Sequence, residues 1–176
     1  MLSRLELERY RPSHFRGLTR LQYATFDPGY AVASHEGYTG VRLDGMRYEQ
    51  KVHTAFKQIY SPERAGVLYA PAMWIRYVDA TKRKYAQPDG LLLDLKRSFI
   101  TIIEIKLKHT ISAYFWLREL YEPLVRHIFG NVWRYAVCEV VKWFDASVHW
   151  PEPLRMTADP SALMANEFGV HIWKRL

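Results

Sequence analysis

Phe99-Ile100-Thr101-Ile102-Ile103-Glu104-Ile105-Lys106-Leu107 is the stretch on which the reading of the fold turns. Its β-branched residues are stiff at χ1 and fit a pleated surface, and their density predicts a central strand buried on both faces. Side chains alternate along a strand, so Ile103, Ile105 and Leu107 share one face while Glu104 and Lys106 share the other. A buried, isolated ion is penalised by several kcal/mol, so these two charges must be compensated. Either they reach solvent near the strand end and simply pair, or Glu104 binds a divalent cation and Lys106 contacts a reacting phosphate or water.

The residues just upstream bear on that choice. Gln87-Pro88-Asp89-Gly90 leads into Leu91-Leu92-Leu93, and the polar turn Asp94-Leu95-Lys96-Arg97-Ser98 joins this strand to the next. In an antiparallel hairpin the start of the first strand lies beside the far end of the second, which brings Asp89 to Glu104 and Lys106. Two carboxylates suit Mg2+, a hard cation that takes oxygen ligands and keeps several waters. Such an ion would polarise a phosphoryl oxygen and help generate hydroxide, with Lys106 positioning water or stabilising charge on phosphorus.

Outward from the hairpin, Met46 to Tyr60 carries Tyr48, Val52, Ala55, Phe56 and Ile59 at helical spacing, with Asp44 as the expected N-cap and Ser61-Pro62 as the stop. Val67 to Val78 reads as a strand, with Pro71 at a bulge or edge, and Lys82-Arg83-Lys84 as an exposed basic turn. Ile111 to Tyr121 reads as a helix that Pro123 breaks or restarts, followed by a helical piece from Pro123 to Phe129. Trp133 to Val141 is a further strand, Pro160 to Glu167 a short helix, and Val170 to Trp173 a last strand. The order is that of an α/β layer fold with a mixed sheet. Residues 1–40 form an expected loop-rich arm, 44–141 the core and 142–176 an extension, all in a single domain.

At 176 residues the chain can bury a real core, and 49% apolar content argues against disorder. Lysine and arginine outnumber aspartate and glutamate 25 to 18, and the net charge of +7 favours a polyanionic partner such as nucleic acid. Cys138 is the only cysteine and reads as a small buried hydrophobe, which fits a reducing, intracellular, cytoplasmic setting. The opening residues lack the apolar stretch of a signal peptide, and no apolar run is long enough to span a bilayer, so no membrane association is expected. No GxxxxGK loop is present, so no nucleotide cofactor is expected. His14, His35, His53, His127, His149 and His171 show no zinc-ligand spacing.

Pro88-Asp89, fourteen intervening residues and Glu104-Ile105-Lys106 together resemble the signature of the PD-(D/E)XK nuclease superfamily. That family includes type II restriction enzymes, Holliday-junction resolvases and recombination exonucleases, and its restriction-endonuclease-like core runs α-β-β-β-α-β, the order read above over roughly Asp44 to Val141. The resemblance implies a Mg2+-dependent deoxyribonuclease, with Mn2+ expected to substitute. Asp89, Glu104 and the backbone carbonyl of Ile105 would hold the metal, and Lys106 would be the catalytic lysine. Glu49 matches the first-helix glutamate that reaches the metal through water in many members. Its other reading is a solvated helix charge. Recombination exonucleases often carry Gln-x-x-x-Tyr on the next helix. Tyr121 is present here, but Leu117 stands at the glutamine position, which favours a compact endonuclease resembling phage-type resolvases that act on branched or junction DNA in recombination or repair.

Fainter signals complete the expectation. Arg4, Arg9, Arg11, Arg16 and Arg20 interleave with Tyr10, Phe15, Tyr23 and Phe26, a pattern that suits phosphate contact and base stacking as well as an arm packed on the core. Lys82, Arg83, Lys84, Lys108 and His109 flank the acidic cluster as candidate DNA contacts. Solvated positions are their alternative, with His109 read as an exposed linker histidine. Tyr114-Phe115-Trp116 reads as core or as an oligomer face, and a homodimer would suit paired incisions. Two rival functions stay open: a non-catalytic nucleic-acid-binding or partner-binding protein on a nuclease-like fold, and an exonuclease.

Overall fold

The β-branched run becomes the middle of a six-stranded mixed sheet in the computed structural model, which describes residues 2–31 and 37–175. His35 lies outside the described residues. In chain order the elements are α1 (Arg4–Glu8), β1 (Leu21–Phe26), α2 (Val41–Ile59), β2 (Leu68–Pro71), β3 (Ile75–Asp79), β4 (Lys82–Ala86), β5 (Gly90–Asp94) and β6 (Phe99–Lys108). A helical run α3 (112–129), β7 (Arg134–Trp143), β8 (Leu154–Met156), a 3-10 turn at Pro160–Ala162 and β9 (Phe168–Ile172) follow. The large sheet is ordered β2-β5-β6-β7-β9-β8, and the small one β1-β3-β4. β5 pairs antiparallel with β2 and β6, whereas β6, β7, β9 and β8 run parallel. A parallel pair needs a crossover of a dozen or more residues, and α3 supplies it between β6 and β7.

Both faces of β6 are covered. Tyr48, Val52 and Phe56 on α2 form one apolar cluster with Ile103, Ile105, Cys138 and Val140. Leu117, Leu120, Leu124 and Val125 on α3 form the other with Ile100, Ile102, Tyr135 and Val137. Ile100, Ile102 and Ile103 are fully buried, and each contributes about 1.5–3 kcal/mol of apolar burial. The small sheet joins the α3 side through Ala24, Ile75, Tyr77 and Ala86. No helix among the described residues is long and apolar enough to cross a membrane.

Several expectations are corrected. The stretch 67–78 is two strands in two sheets, split after Pro71, which ends the edge strand β2 where a missing donor does no harm. Lys82, Arg83 and Lys84 are not a turn but open β4, paired across from Asp79, Val78 and Tyr77, and the turn is Ala80-Thr81, with Ala80 at φ 55°. Asp44 is not the N-cap. The helix begins a turn earlier, at Gly40, and Asp44 lies in its acidic first turn.

Pro123 does not break the helix either. Residues Phe115–Tyr121 are wound as a π-helix, with the Glu122 N–H donating to the Leu117 carbonyl, and the chain resumes as α-helix with proline at its start. Five-residue spacing accommodates a ring that an α-helical interior would reject. The expected helix at 160–167 shrinks to the 3-10 turn, capped by Asp159, whose side chain accepts from the Ser161 N–H. The arm holds a strand, β1, that its irregular pattern hid. Of its aromatics Phe15 packs inward, 4.9 Å edge-on to Trp116 and also against Phe115, and Phe26 lies against the core, whereas Tyr10 and Tyr23 are exposed.

Asp79, only 2% exposed, ties this arm down. It accepts the backbone N–H groups of Thr19 at 3.0 Å and Arg20 at 2.7 Å, and pairs with Lys84 Nζ at 3.0 Å. Burial pushes its pKa up, but these donors outweigh burial and hold the carboxyl below its ordinary value. Its stabilisation is therefore present above the unfolded aspartate pKa near 3.9 and is lost as pH falls through the folded value. Asp79→Ala is expected to cost about 1–3 kcal/mol in urea unfolding at pH 7, and the deficit should shrink below about pH 4. A variant as stable as wild type at pH 7 would refute the clamp.

Candidate active site

Residue Asp89 sits one step before the β5–β6 ladder, whose last pair is Gly90 with Ile103, so the next position across is Glu104. Its Oδ2 accepts the Ile105 N–H at 2.6 Å, taking the place of a strand carbonyl where β5 has not yet begun. Its own carbonyl accepts from Ala72 at 2.8 Å, which anchors the entry from the β2 side. Gly90 is required here. A Cβ on it would lie 2.5 Å from Cε2 of the buried Tyr69 ring.

On β6 the even-numbered residues face α3, so Glu104 and Lys106 project from the face carrying Ile100 and Ile102. Glu104 is 3% exposed, and its Oε1 meets Lys106 Nζ at 2.5 Å while its Oε2 makes no hydrogen bond. An orphaned buried acceptor costs about 1–3 kcal/mol, more when charged. The structure brings the two acids and the ammonium group together: Asp89 lies across from Glu104, which pairs with Lys106, and the Glu104 and Lys106 charges act on Asp89. Burial raises the Asp89 carboxyl well above the usual range, and the charges of Glu104 and Glu49 add to the rise. For Lys106, burial disfavours the ammonium, but Glu104 and Asp89 outweigh it and hold the pKa above the ordinary lysine value.

The parallel register adds a carboxylate that the sequence reading passed over. Glu139 on β7 pairs directly with Glu104, so Asp89, Glu104 and Glu139 lie in a row across three strands. Glu139 is fully buried and bonded to His109 Nδ1, while its Oε1 and His109 Nε2 make no hydrogen bond. Burial raises the Glu139 pKa, His109 opposes the rise, and Glu104 adds to it. The signal was in the sequence: a lone acid within Val137-Cys138-Glu139-Val140-Val141 is as anomalous as Glu104 in its own strand.

Tyr121, at the end of the π-helical segment, is buried, and its phenol is pushed up first by burial and then by Glu104 and Asp89. Leu117 is fully buried core. On α2, Glu49 meets His53 Nε2 at 3.2 Å, and His53 Nδ1 lies 2.6 Å from the Tyr69 hydroxyl, a chain leading from Glu49 to the ring that covers Gly90. Burial raises the Tyr69 phenol pKa, with Asp89 and Glu49 contributing.

The candidate DNA contacts fare differently. His109 is not an exposed linker side chain: it is 1% exposed, ringed by Phe144 and Trp150, and cannot touch a substrate directly. Lys84 is engaged by buried Asp79, and Lys108 pairs with Asp145 at 3.1 Å. Lys82 and Arg83 are exposed on β4. Of the arginines in the arm, Arg11 is closed between Glu8 and Glu119 at 2.6 and 2.8 Å.

Among the described residues, no three His, Cys, Asp or Glu side chains are grouped closely enough to enclose a metal ion alone. Mg2+ is commonly held by one or two carboxylates plus waters and substrate phosphate, so the pair Asp89–Glu104, with the orphaned Oε2, fits that ion better than a cage-bound one. No protein-family model, curated protein or solved structure matches the chain.

A raised folded pKa means that the ionised Asp89 costs stability. This cost is absent below the unfolded value near 3.9 and grows as pH rises through the folded value. Asp89→Asn keeps an oxygen for the Ile105 N–H and removes the charge. It is expected to raise the melting temperature of the chelator-treated protein at pH 8 by about 2–4 °C, the effect of roughly 1 kcal/mol in a chain of this size. MgCl2 should raise the melting temperature of wild type and leave that of the variant unchanged. A destabilised variant, or equal metal responses, would contradict the charge assignment.

Proposed function

We propose that the protein is a Mg2+-dependent DNA endonuclease of the PD-(D/E)XK type. The observation that carries the reading is the meeting of Asp89, Glu104 and Lys106 at the β5–β6 junction, with one buried Glu104 oxygen left without a partner. Within the large sheet, with β3 and β4 of the small sheet inserted between β2 and β5, the order α2, β2, β5, β6, α3, β7 follows the helix, three strands, helix, strand order of a restriction-endonuclease-like core.

Asp89 and Glu104 would hold the cation, which when bound supplies Lewis-acid polarisation of the scissile phosphoryl group and lowers the pKa of water. The protein's own residues set the rest. Lys106 carries a firmly held positive charge and sits 2.5 Å from Glu104, so the carboxylate that would hold the metal also aims the ammonium group. From there Lys106 can orient the attacking water and stabilise the extra negative charge on phosphorus. The Ile105 N–H fixes the Asp89 carboxylate, and Glu49, steadied by His53, adds negative charge to the site. Fully buried Leu117 in the place of a glutamine favours endonuclease over exonuclease action.

A rival reading, a nucleic-acid-binding protein without catalysis, draws on the direct Glu104–Lys106 pair, which compensates both charges without a metal. One panel separates the two: branched, linear duplex and single-stranded DNA incubated with MgCl2 or MnCl2. Cleavage is expected for wild type. Asp89→Ala, Glu104→Gln, Lys106→Ala or EDTA should each lower the rate by at least about 100-fold with DNA binding retained. Undiminished cleavage by purified Lys106→Ala would refute the assigned chemistry, and a wild type inert toward all three substrates would favour the rival.

A further inference from the structure

The C-terminal ends of the parallel strands open onto a cavity of about 450 Å³ whose lining includes Arg47, Lys51, Lys142, Lys174 and Arg175 with a single carboxylate, Asp44. None of these five cations is in an ion pair among the described residues, whereas Arg11, Arg118, Arg126 and Arg155 elsewhere each close on a glutamate. Arg47 and Lys51 lie one turn apart on α2, and Lys142 and Lys174 converge on the Trp143 ring at 5.2 and 5.8 Å. Trp143 is 51% exposed despite its size. A second cavity of about 420 Å³ shares Arg47, Lys51 and Trp173 and extends the groove along α2.

From this we infer that the groove between α2 and the ends of β7 and β9 is a binding site for the sugar–phosphate backbone of a DNA strand, with Trp143 as a stacking platform for an unpaired base. Convergent cations with no carboxylate partner keep unfavourable mutual repulsion that a line of phosphates relieves, and an exposed indole beside them suits base stacking. In open α/β sheets ligands bind at the carboxyl ends of the strands, where this groove lies. Leu107 lines it and is the chain neighbour of Lys106 but projects from the opposite face of β6, so a strand held there would reach the carboxylate row only around the end of β6. The inference names the substrate track of the proposed nuclease and rests on that reading for its purpose. The binding itself requires no catalysis. It also moves the expected DNA contacts away from Lys84, Lys108 and His109, which are occupied or buried.

The test measures anisotropy of fluorescent single-stranded and duplex oligonucleotides in EDTA, so that cleavage plays no part. The Lys142→Glu/Lys174→Glu double variant is expected to bind at least about tenfold more weakly than wild type near 0.1 M salt, with a shallower dependence of affinity on salt. Arg47→Glu, on a different element, should weaken binding in the same direction. Trp143→Ala should weaken single strands more than duplex. Lys57→Glu/Lys96→Glu makes the same change in net charge on exposed residues outside the groove and should bind like wild type. Equal losses in both double variants, no loss in the groove variants, or wild-type binding to anionic vesicles but not to DNA would each overturn the inference. Groove-dependent binding without cleavage under any metal would remove the nuclease reading alone. Cleavage that survives the groove variants unchanged would remove the groove alone.

Discussion

Like charge held in a dry place governs this structure. Asp89, Glu104 and Glu139 stand in one row across three adjacent strands, and the cations that answer them are Lys106 and, where protonated, His109. Three carboxylates at that spacing repel, and the burial of Glu104 and Glu139, with Asp89 half-buried beside them, removes much of the water that would screen them. A fold selected for stability alone would place apolar side chains there, since replacing buried ion pairs by well-packed hydrophobes is often neutral or stabilising. Perturbed carboxylates in such a cluster mark a candidate functional site, and a ligand that brings positive charge is the one the proposed reading supplies.

Much of the surrounding architecture follows from holding that row still. Fully buried isoleucines on both sides of β6 make its backbone rigid, so the spacing of Glu104 and Lys106 is fixed by the pleat. The parallel partner β7 is reached only through α3, and the π-helical winding that admits Pro123 also ends on Tyr121, the residue whose phenol feels Glu104 and Asp89. Isolated π turns inside α-helices occur often at functional sites. Gly90 serves the same end from β5, since only a residue without Cβ lets the Tyr69 ring lie over the strand entry.

The hairpin β5–β6 and its three charged residues were legible in the sequence because they depend on local rules: alternation along a strand, and a short polar turn between Asp94 and Phe99. Helix α2 was legible from its 3.6-residue period. Glu139 was not placed, because its neighbour Glu104 is set by the parallel register of β6 against β7, which no local pattern encodes. The occupied state of Lys84 and the burial of His109 likewise depend on Asp79 and Glu139, distant or non-adjacent partners that only the assembled sheets supply. The basic groove was illegible for the same reason. Arg47 lies on α2, Lys142 on β7 and Lys174 in the segment past β9, while the run Lys82-Arg83-Lys84 drew notice by being contiguous.

A buried acid that still holds its proton must release it when a cation arrives, because metal ligands bind deprotonated. Isothermal titration of MgCl2 or MnCl2 into the chelator-treated protein, run in two buffers with different ionisation enthalpies, reads both events at once. The account predicts saturable binding with buffer-dependent heat, indicating proton release from Asp89, and loss of that signal in Glu104→Gln. Absence of saturable heat with either metal in the folded wild-type protein would contradict it.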